Sequence, residues 1–168
     1  MSNARNLSNL LGTSATVPSG NLPSGSIIQV ATDTSGTNTA ITGNTYTASS
    51  VSITFTPKKS NSTILLMWSG NVSQQTHGAN GFGLAFFEGN TQLNTQPADG
   101  TGPFTEYKDE TRIFSYITMS HSMSASSTSA RTYTIRGRKY NSSVSDLNIG
   151  VGSSVVGTQS FTVMEISG

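Results

Sequence analysis

The chain has no cysteine, few charged residues and no long apolar run. Without cysteine it can form neither a disulfide nor a thiolate metal site, and it has no thiol nucleophile. Charged residues make up only 10% of the 168 residues, and the formal net charge is +1. So weak a field predicts no nucleic-acid partner. Neither a secretory signal nor a run of roughly 18 apolar residues is found, so we expect no membrane insertion.

Apolar residues are also scarce. They make up 33% of the chain, below the roughly 45–50% of an ordinary globular domain. Nearly one residue in three is serine or threonine. Disorder is predicted where low hydrophobicity accompanies a high net charge, and that second condition is not met. The composition favours short strands with hydroxyl side chains on their solvent faces.

Residues 1–25 differ from the rest of the chain. Three leucines at spacing i, i+3, i+4 give one helical turn an apolar stripe, and a linker rich in proline and glycine follows. We therefore divide the chain into an arm (1–25) and a domain (26–168). The arm is either a frayed terminus or a tether that attaches to another protein through Arg5, Leu7, Leu10 and Leu11.

The densest apolar run is STILLMWSG, residues 62–70. In a strand, Ile64, Leu66 and Trp68 point to one face, and Leu65 and Met67 point to the other. A strand that is apolar on both faces must be covered on both. One-sided strands such as 51–55 can cover the first face. For the second face we predict a neighbouring subunit, in contact with Leu65 and Met67.

A second two-sided strand is predicted over 112–121. Its residues Ile117 and Met119 alternate with Phe114 and Tyr116, so both faces again carry bulky side chains. We therefore add Phe114 and Tyr116 to the predicted subunit interface. Closed symmetry is the usual way to bury such surface, and we expect a homotrimer.

Beyond the arm the apolar period is two, with no helical periodicity. Polar loops are expected at 33–44 and 97–109, and Gly89-Asn90 indicates a hairpin. This spacing predicts an all-β fold, an antiparallel sandwich, jelly roll or barrel. About eight strands are expected, at 26–32, 45–56, 62–70, 81–88, 112–121, 132–140, 145–151 and 159–167.

Signals for catalysis or metal binding are weak. The two histidines lack the spacing of a zinc site, and no Gly-x-Ser-x-Gly motif accompanies the many serines. Four acids gather in one connection, where they could bind Ca²⁺ or act as an acid pair, although such a cluster is usually a solvated loop. We expect no cofactor, no metal and no enzymatic activity. The acids are Asp99, Glu106, Asp109 and Glu110.

One strand carries a basic and aromatic face. Arg136, Arg138 and Tyr140 stand two residues apart, so they share a side of the predicted strand. Guanidinium groups and ring faces can bind an anion or a glycan. The alternative is a solvated face, or one paired with the acidic connection of the same or a neighbouring subunit.

Six segments follow one another in a recognisable order: SNARNLSNLLG, VPSGNLPSGSIIQV, ITFTPKKSNSTILLMWSGN, GLAFFEGNTQL, RTYTIRGR and FTVMEISG. Their order resembles that of small bacteriophage virion proteins, the fibre, capsid-decoration and tail-appendage proteins of phages of marine and freshwater bacteria, cyanophages included. This resemblance implies a jelly-roll domain that forms homotrimers and an N-terminal segment that joins it to the particle. It also implies release by lysis.

No coiled-coil or collagen-like shaft separates the arm from the first strand. That favours a capsid-decoration (cement) or short head-fibre protein, bound to capsid or tail proteins in the virion. The alternative is a receptor-binding tail-fibre module that recognises host surface glycans.

Overall fold

A computed structural model describes residues 22–75, 80–94, 104–108, 112–140, 146–150 and 157–168. These residues form eleven β-strands and no helix, which confirms the predicted all-β class. Within them, therefore, no helix exists that could cross a membrane. The strands are β1 (Ile27–Ser35), β2 (Thr39–Ile41), β3 (Thr47–Phe55), β4 (Thr63–Gln75), β5 (Asn80–Glu88), β6 (Thr91–Gln92), β7 (Phe104–Lys108), β8 (Arg112–Ser124), β9 (Arg131–Lys139), β10 (Leu147–Ile149) and β11 (Gln159–Ile166).

The strands form two antiparallel sheets that pack as a sandwich. In sheet A, β4 pairs with β8 along one edge, and with β11 and then β10 along the other; β1 follows β11, and β2 follows β10. In sheet B, β9 lies between β3 and β5, and the far edge of β5 pairs with β6 and β7. Without the three shortest strands, β2, β6 and β10, the strand order is β1–β11–β4–β8 in sheet A and β3–β9–β5–β7 in sheet B. This is the strand order of a jelly roll.

The core lies between the sheets and is built around β4. Ile64, Leu66 and Trp68 are at most 1% exposed. Residues of β3 that alternate with exposed Ser52 and Thr54 join the same cluster from the opposite sheet, as predicted. Fully burying each such large side chain contributes about 1.5–3 kcal/mol. The residues of β3 are Val51, Ile53 and Phe55.

A chain of polar contacts that begins at the buried Trp68 links the two sheets. The indole Nε1 donates a hydrogen bond to Gln159 Oε1 at 3.2 Å, and Gln159 Nε2 donates to Ser50 Oγ in β3 at 2.8 Å. The indole lies over Gly70, where an added Cβ would stand 2.6 Å from Trp68 Cζ2. Glycine is therefore required beneath the ring, and the polar chain fixes how β3 sits over β11.

Two segments expected to be loops contain strands. β7 lies within 97–109, and β2, together with the end of β1, lies within 33–44. Both β2 and β7 are short and pair with residues distant in sequence, so no local apolar pattern indicated them. The hairpin between β5 and β6 is confirmed, with Gly89 at a φ of +54°. The predicted strand at 145–151 shortens to β10.

A buried carboxylate holds the end of the sandwich where β11 finishes. Glu165 is fully buried, and it accepts hydrogen bonds from the backbone N–H groups of Lys58 and Lys59, from Ser62 Oγ and from Gln29 Nε2, all within 2.9 Å. Burial by itself raises the pKa of this carboxyl, but these hydrogen bonds together outweigh it and hold the pKa below the usual 4.5. Glu165 thus ties the β3–β4 turn to β1 and β11.

Both ends of the described chain meet at this same end of the sandwich, which we call the Glu165 pole. The N–H of Gly25 donates to the carbonyl of Ser167, and the N–H of Ser167 donates to the carbonyl of Ser26, each at 2.8 Å. Gly25 and Ser26, near the start of the described chain, therefore lie at this pole. The predicted attachment residues, Arg5, Leu7, Leu10 and Leu11, lie outside the described residues.

Candidate assembly interface

From Phe114 to Ser124 of β8, and across the residues of β4, β11 and β1 beside them, the outward face of sheet A carries no charged side chain; we call this surface the assembly face. Arg112 begins β8 beyond Phe114, opposite Gln75. Strand register and alternating burial identify its members, and the two nearest carboxylates, Asp33 and Glu165, both point toward sheet B. The members are Ile27, Val30, Thr32, Thr34, Thr63, Leu65, Met67, Ser69, Asn71, Phe114, Tyr116, Thr118, Ser120, Ser122, Ser124, Ser160, Thr162, Met164 and Ile166.

Two apolar patches lie on the assembly face. Near the Glu165 pole, Val30, Met164 and Leu65 occupy one row across three strands, and Met67 follows in the next row. Val30 is 52% exposed and Met67 is 37% exposed. Exposed apolar patches of this kind mark interaction surfaces more often than scattered single residues do.

The second patch is aromatic and lies on the edge strand β8. Tyr116 is 65% exposed and Phe114 is 44% exposed, whereas Ile117 and Met119 of the same strand are buried. The predicted two faces of this strand are therefore confirmed. Since β8 pairs with β4 over thirteen residues, Tyr116 stands opposite Asn71 on the assembly face.

The structure brings the four predicted interface residues to one face. Leu65 and Met67 belong to the first patch, and Phe114 and Tyr116 belong to the second. Sequence reasoning missed the apolar side chains that β1 and β11 add to the first patch. Their signal was present, because Met164 and Ile166 alternate with buried Val163 and Glu165 in β11. The missed residues are Ile27, Val30, Met164 and Ile166.

A groove of about 130 Å³ lies between the two patches. It opens on the assembly face where β11, β4 and β8 run side by side. Met67 is an apolar lining residue, and four of the other five lining residues are serine or threonine. The lining residues are Met67, Trp68, Ser69, Thr118, Ser160 and Thr162.

The outward face of sheet B has a different chemistry. The Arg136 guanidinium lies 4.5 Å from the centroid of the Phe87 ring, the Phe87 and Tyr46 rings are 5.3 Å apart, and the Arg138 guanidinium lies 5.4 Å from the Tyr46 centroid. Burial raises the pKa of the Tyr46 phenol, and Arg138 partly offsets this shift. We call these four residues the aromatic–arginine stack.

Arg136, Arg138 and Tyr140 share this outward side, as their spacing predicted. Arg136 also donates to the carbonyl of Gly89 and to Asn90 Oδ1, so it anchors the β5–β6 hairpin. Arg138 and the 48%-exposed Tyr140 lie beyond it, at the end of the sandwich opposite the Glu165 pole.

Clusters that could hold a metal are absent from the described residues, as no three His, Asp or Glu side chains converge there. His121 faces the sandwich interior, with its ring 6.4 Å from that of Phe86, and burial lowers its pKa below 6.5. Of the predicted acidic cluster, Asp99, Asp109 and Glu110 lie outside the described residues.

Comparisons with known proteins identify no family. No family model matches the chain, and no curated protein is similar to it. Among solved structures, a match is found to a chain described under "Bacillus endospore appendages form a novel family of disulfide-linked pili". That chain is 12% identical, the match covers 88% of this chain and 96% of that one, and the TM-score is 0.33. So distant a likeness carries no argument about function.

Proposed function

We propose that this protein is a non-enzymatic structural component of a bacteriophage particle, a capsid-decoration or short head-fibre protein. It would assemble as a homotrimer through the assembly face and attach to capsid or tail proteins through the arm at 1–25. Support comes from the resemblance of its six quoted segments to small virion proteins. The jelly-roll strand order agrees with the fold that this resemblance implies.

The observation that carries the proposal is the absence of charge from the assembly face between Phe114 and Ser124 of β8 and across the neighbouring strands. Surfaces that stay in water usually carry many charged residues, and exposed sheet edges commonly carry lysine, which prevents them from pairing with another strand. The cores of protein interfaces, in contrast, are depleted of charge. This uncharged surface offers nothing to pair with a charged partner, and two copies of it meet no like charge. A second copy of the same chain therefore fits this face best.

Light scattering on the purified protein tests the trimer. We expect a trimer at micromolar concentration, which Leu65→Lys should dissociate because the substitution buries a charge in the interface. The matched control is Ser52→Lys, which places the same charge on the exposed outward side of sheet B and should leave the trimer intact. A stable monomer at micromolar concentration would contradict the proposal.

A truncation tests the tether. Removal of residues 1–24 leaves every strand of both sheets in place, so the shortened protein should remain folded and trimeric. It should no longer bind particles that lack the protein. A full-length variant with Leu7, Leu10 and Leu11 replaced by serine should also fail to bind. Undiminished binding by the truncated protein would show that attachment lies elsewhere.

Glycan recognition is the alternative function, favoured by one specific observation. Arg138 and Tyr140 lie on one side of the sandwich, at the end farthest from the Glu165 pole, where an attached particle protein would project them outward. Ring faces and guanidinium groups suit sugars that carry an anionic group. Binding on a glycan array that falls with Tyr140→Ala, and not with Tyr116→Ala, would favour this function over a purely structural one.

A further inference from the structure

We propose that Tyr116 of one copy inserts into the groove on the assembly face of the next copy, and that this contact repeats around a closed ring of three. The inference rests on the proposed function, since it specifies how the assembly face meets itself. It names a projecting side chain and the site that receives it.

The groove has the size of one aromatic ring. Its volume is about 130 Å³, and a cavity of roughly 150 Å³ is large enough to bind benzene. A single water, whose share of liquid volume is roughly 30 Å³, would leave much of this space unfilled.

The lining of the groove selects tyrosine in particular. Met67 offers a thioether, which makes favourable contacts with aromatic rings. Ser69, Thr118 and Ser160 also line the groove, and their hydroxyl groups can pair with a phenol. Tyrosine is an apolar ring with a polar tip, and its O–H usually finds a partner when buried. Phenylalanine would fill the same space but leave the hydroxyl groups without that partner.

Tyr116 is the aromatic side chain that is placed to enter such a groove. It is 65% exposed, more than any other large hydrophobic residue whose side chain the structure describes. It projects from the edge strand β8 on the same side of the sheet as the groove. An edge position lets it extend to a neighbouring copy without a clash between the two sheets.

The contact joins two different patches, the edge strand of one copy and the centre of sheet A in the next. Such heterologous contacts generate rings when the rotation closes. In a ring of three, each copy gives one Tyr116 and receives another. Every groove is then filled, and the second cover that β4 requires is supplied by a neighbour.

The natural absence of cysteine permits a direct test. Tyr116→Cys and Ser160→Cys are introduced singly and together, and the proteins are treated with a short bismaleimide. Neither single variant should cross-link alone, whereas their mixture should give a covalent dimer. The double variant should give a covalent trimer on a denaturing gel. A double variant that stops at the dimer would overturn the ring, and an uncross-linked mixture would overturn the contact.

Affinity measurements supply an independent test. Tyr116→Ser should weaken each of the three contacts about thirtyfold, as expected when a buried interface tyrosine worth about 2 kcal/mol is lost, so the dissociation constant of the whole trimer should rise by about the cube of that factor. Ser160→Trp, which fills the groove, should weaken the trimer comparably, and Tyr116→Phe should do so less. Tyr140→Ser is the matched control, because Tyr140 is 48% exposed on the other sheet.

The outcomes separate this inference from the proposed function. A wild-type monomer would overturn both. A wild-type trimer that is unchanged by Tyr116→Ser and by Ser160→Trp would overturn only the insertion of Tyr116. Circular dichroism and thermal melting of each variant confirm that it is folded, which is expected for changes at exposed or half-buried positions.

Discussion

Replacement of Glu165 by glutamine tests how the fold holds together at the Glu165 pole. The carboxylate is fully buried, and Lys58, Lys59, Ser62 and Gln29 all donate hydrogen bonds to it. Glutamine has nearly the same shape but no charge. Its amide keeps one oxygen as an acceptor and puts an NH2 group in place of the other. Both carboxylate oxygens accept from a backbone N–H, so at either position the new NH2 group faces a donor instead of pairing with it.

The magnitude follows from those partners. A hydrogen bond to a charged group contributes about 1.5–3 kcal/mol, and a buried donor left without an acceptor costs about 1–3 kcal/mol. Since the remaining amide oxygen still satisfies part of the set, we expect Glu165→Gln to lower the free energy of unfolding by about 3 kcal/mol. That is a large part of the roughly 5–15 kcal/mol of a typical domain.

The loss should also depend on pH in a defined direction. The folded pKa of Glu165 lies below the usual 4.5, so its contribution is fully present above pH 4.5 and disappears as the pH falls through the folded pKa. Urea unfolding of both proteins at pH 7 and at stepwise lower pH, at one protein concentration, measures the difference. A difference that stays constant below pH 4.5, or that is under about 1 kcal/mol at pH 7, would refute this reasoning.

Three further changes have defined outcomes. Gly70→Ala should lower the free energy of urea unfolding by about 1–3 kcal/mol, because the new methyl group would overlap the Trp68 ring. The tryptophan fluorescence maximum should shift as well. Unchanged stability would show that the ring does not pack on Gly70. Arg136→Lys should cost about 1–2 kcal/mol, since lysine cannot both stack on Phe87 and bind the hairpin. Wild-type protein should lose more stability than His121→Leu as the pH falls below 6.5, because burial disfavours the charged imidazole. If the unfolding free energies of the two proteins fall in parallel with pH, this expectation is wrong.

The sequence by itself determined which side chains of each long strand share a face. A period of two is a local property, since successive side chains of any strand point to opposite faces. It was therefore enough to place Leu66 and Trp68 in the core and Tyr116 outside it. The all-β class and the two-sided nature of β4 and β8 follow from the same local rule.

The partner of each strand was decided only by the tertiary structure. Strand pairing joins residues far apart in sequence, such as Ser69 with Ser160 and with Thr118, and no local pattern encodes it. For this reason the groove and the common face of the two apolar patches could not be read from the chain. The short strand β7 was missed for the same reason.

Glu165 marks this boundary between local and long-range information most clearly. Alternation in β11 puts its carboxylate on the same inward side as Phe161 and Val163, where an isolated charge is unfavourable. The donors that make the position favourable come from β1 and from the β3–β4 turn, more than 100 residues away. The sequence shows a glutamate on an apolar face, and only the folded chain shows the hydrogen bonds that stabilise it there.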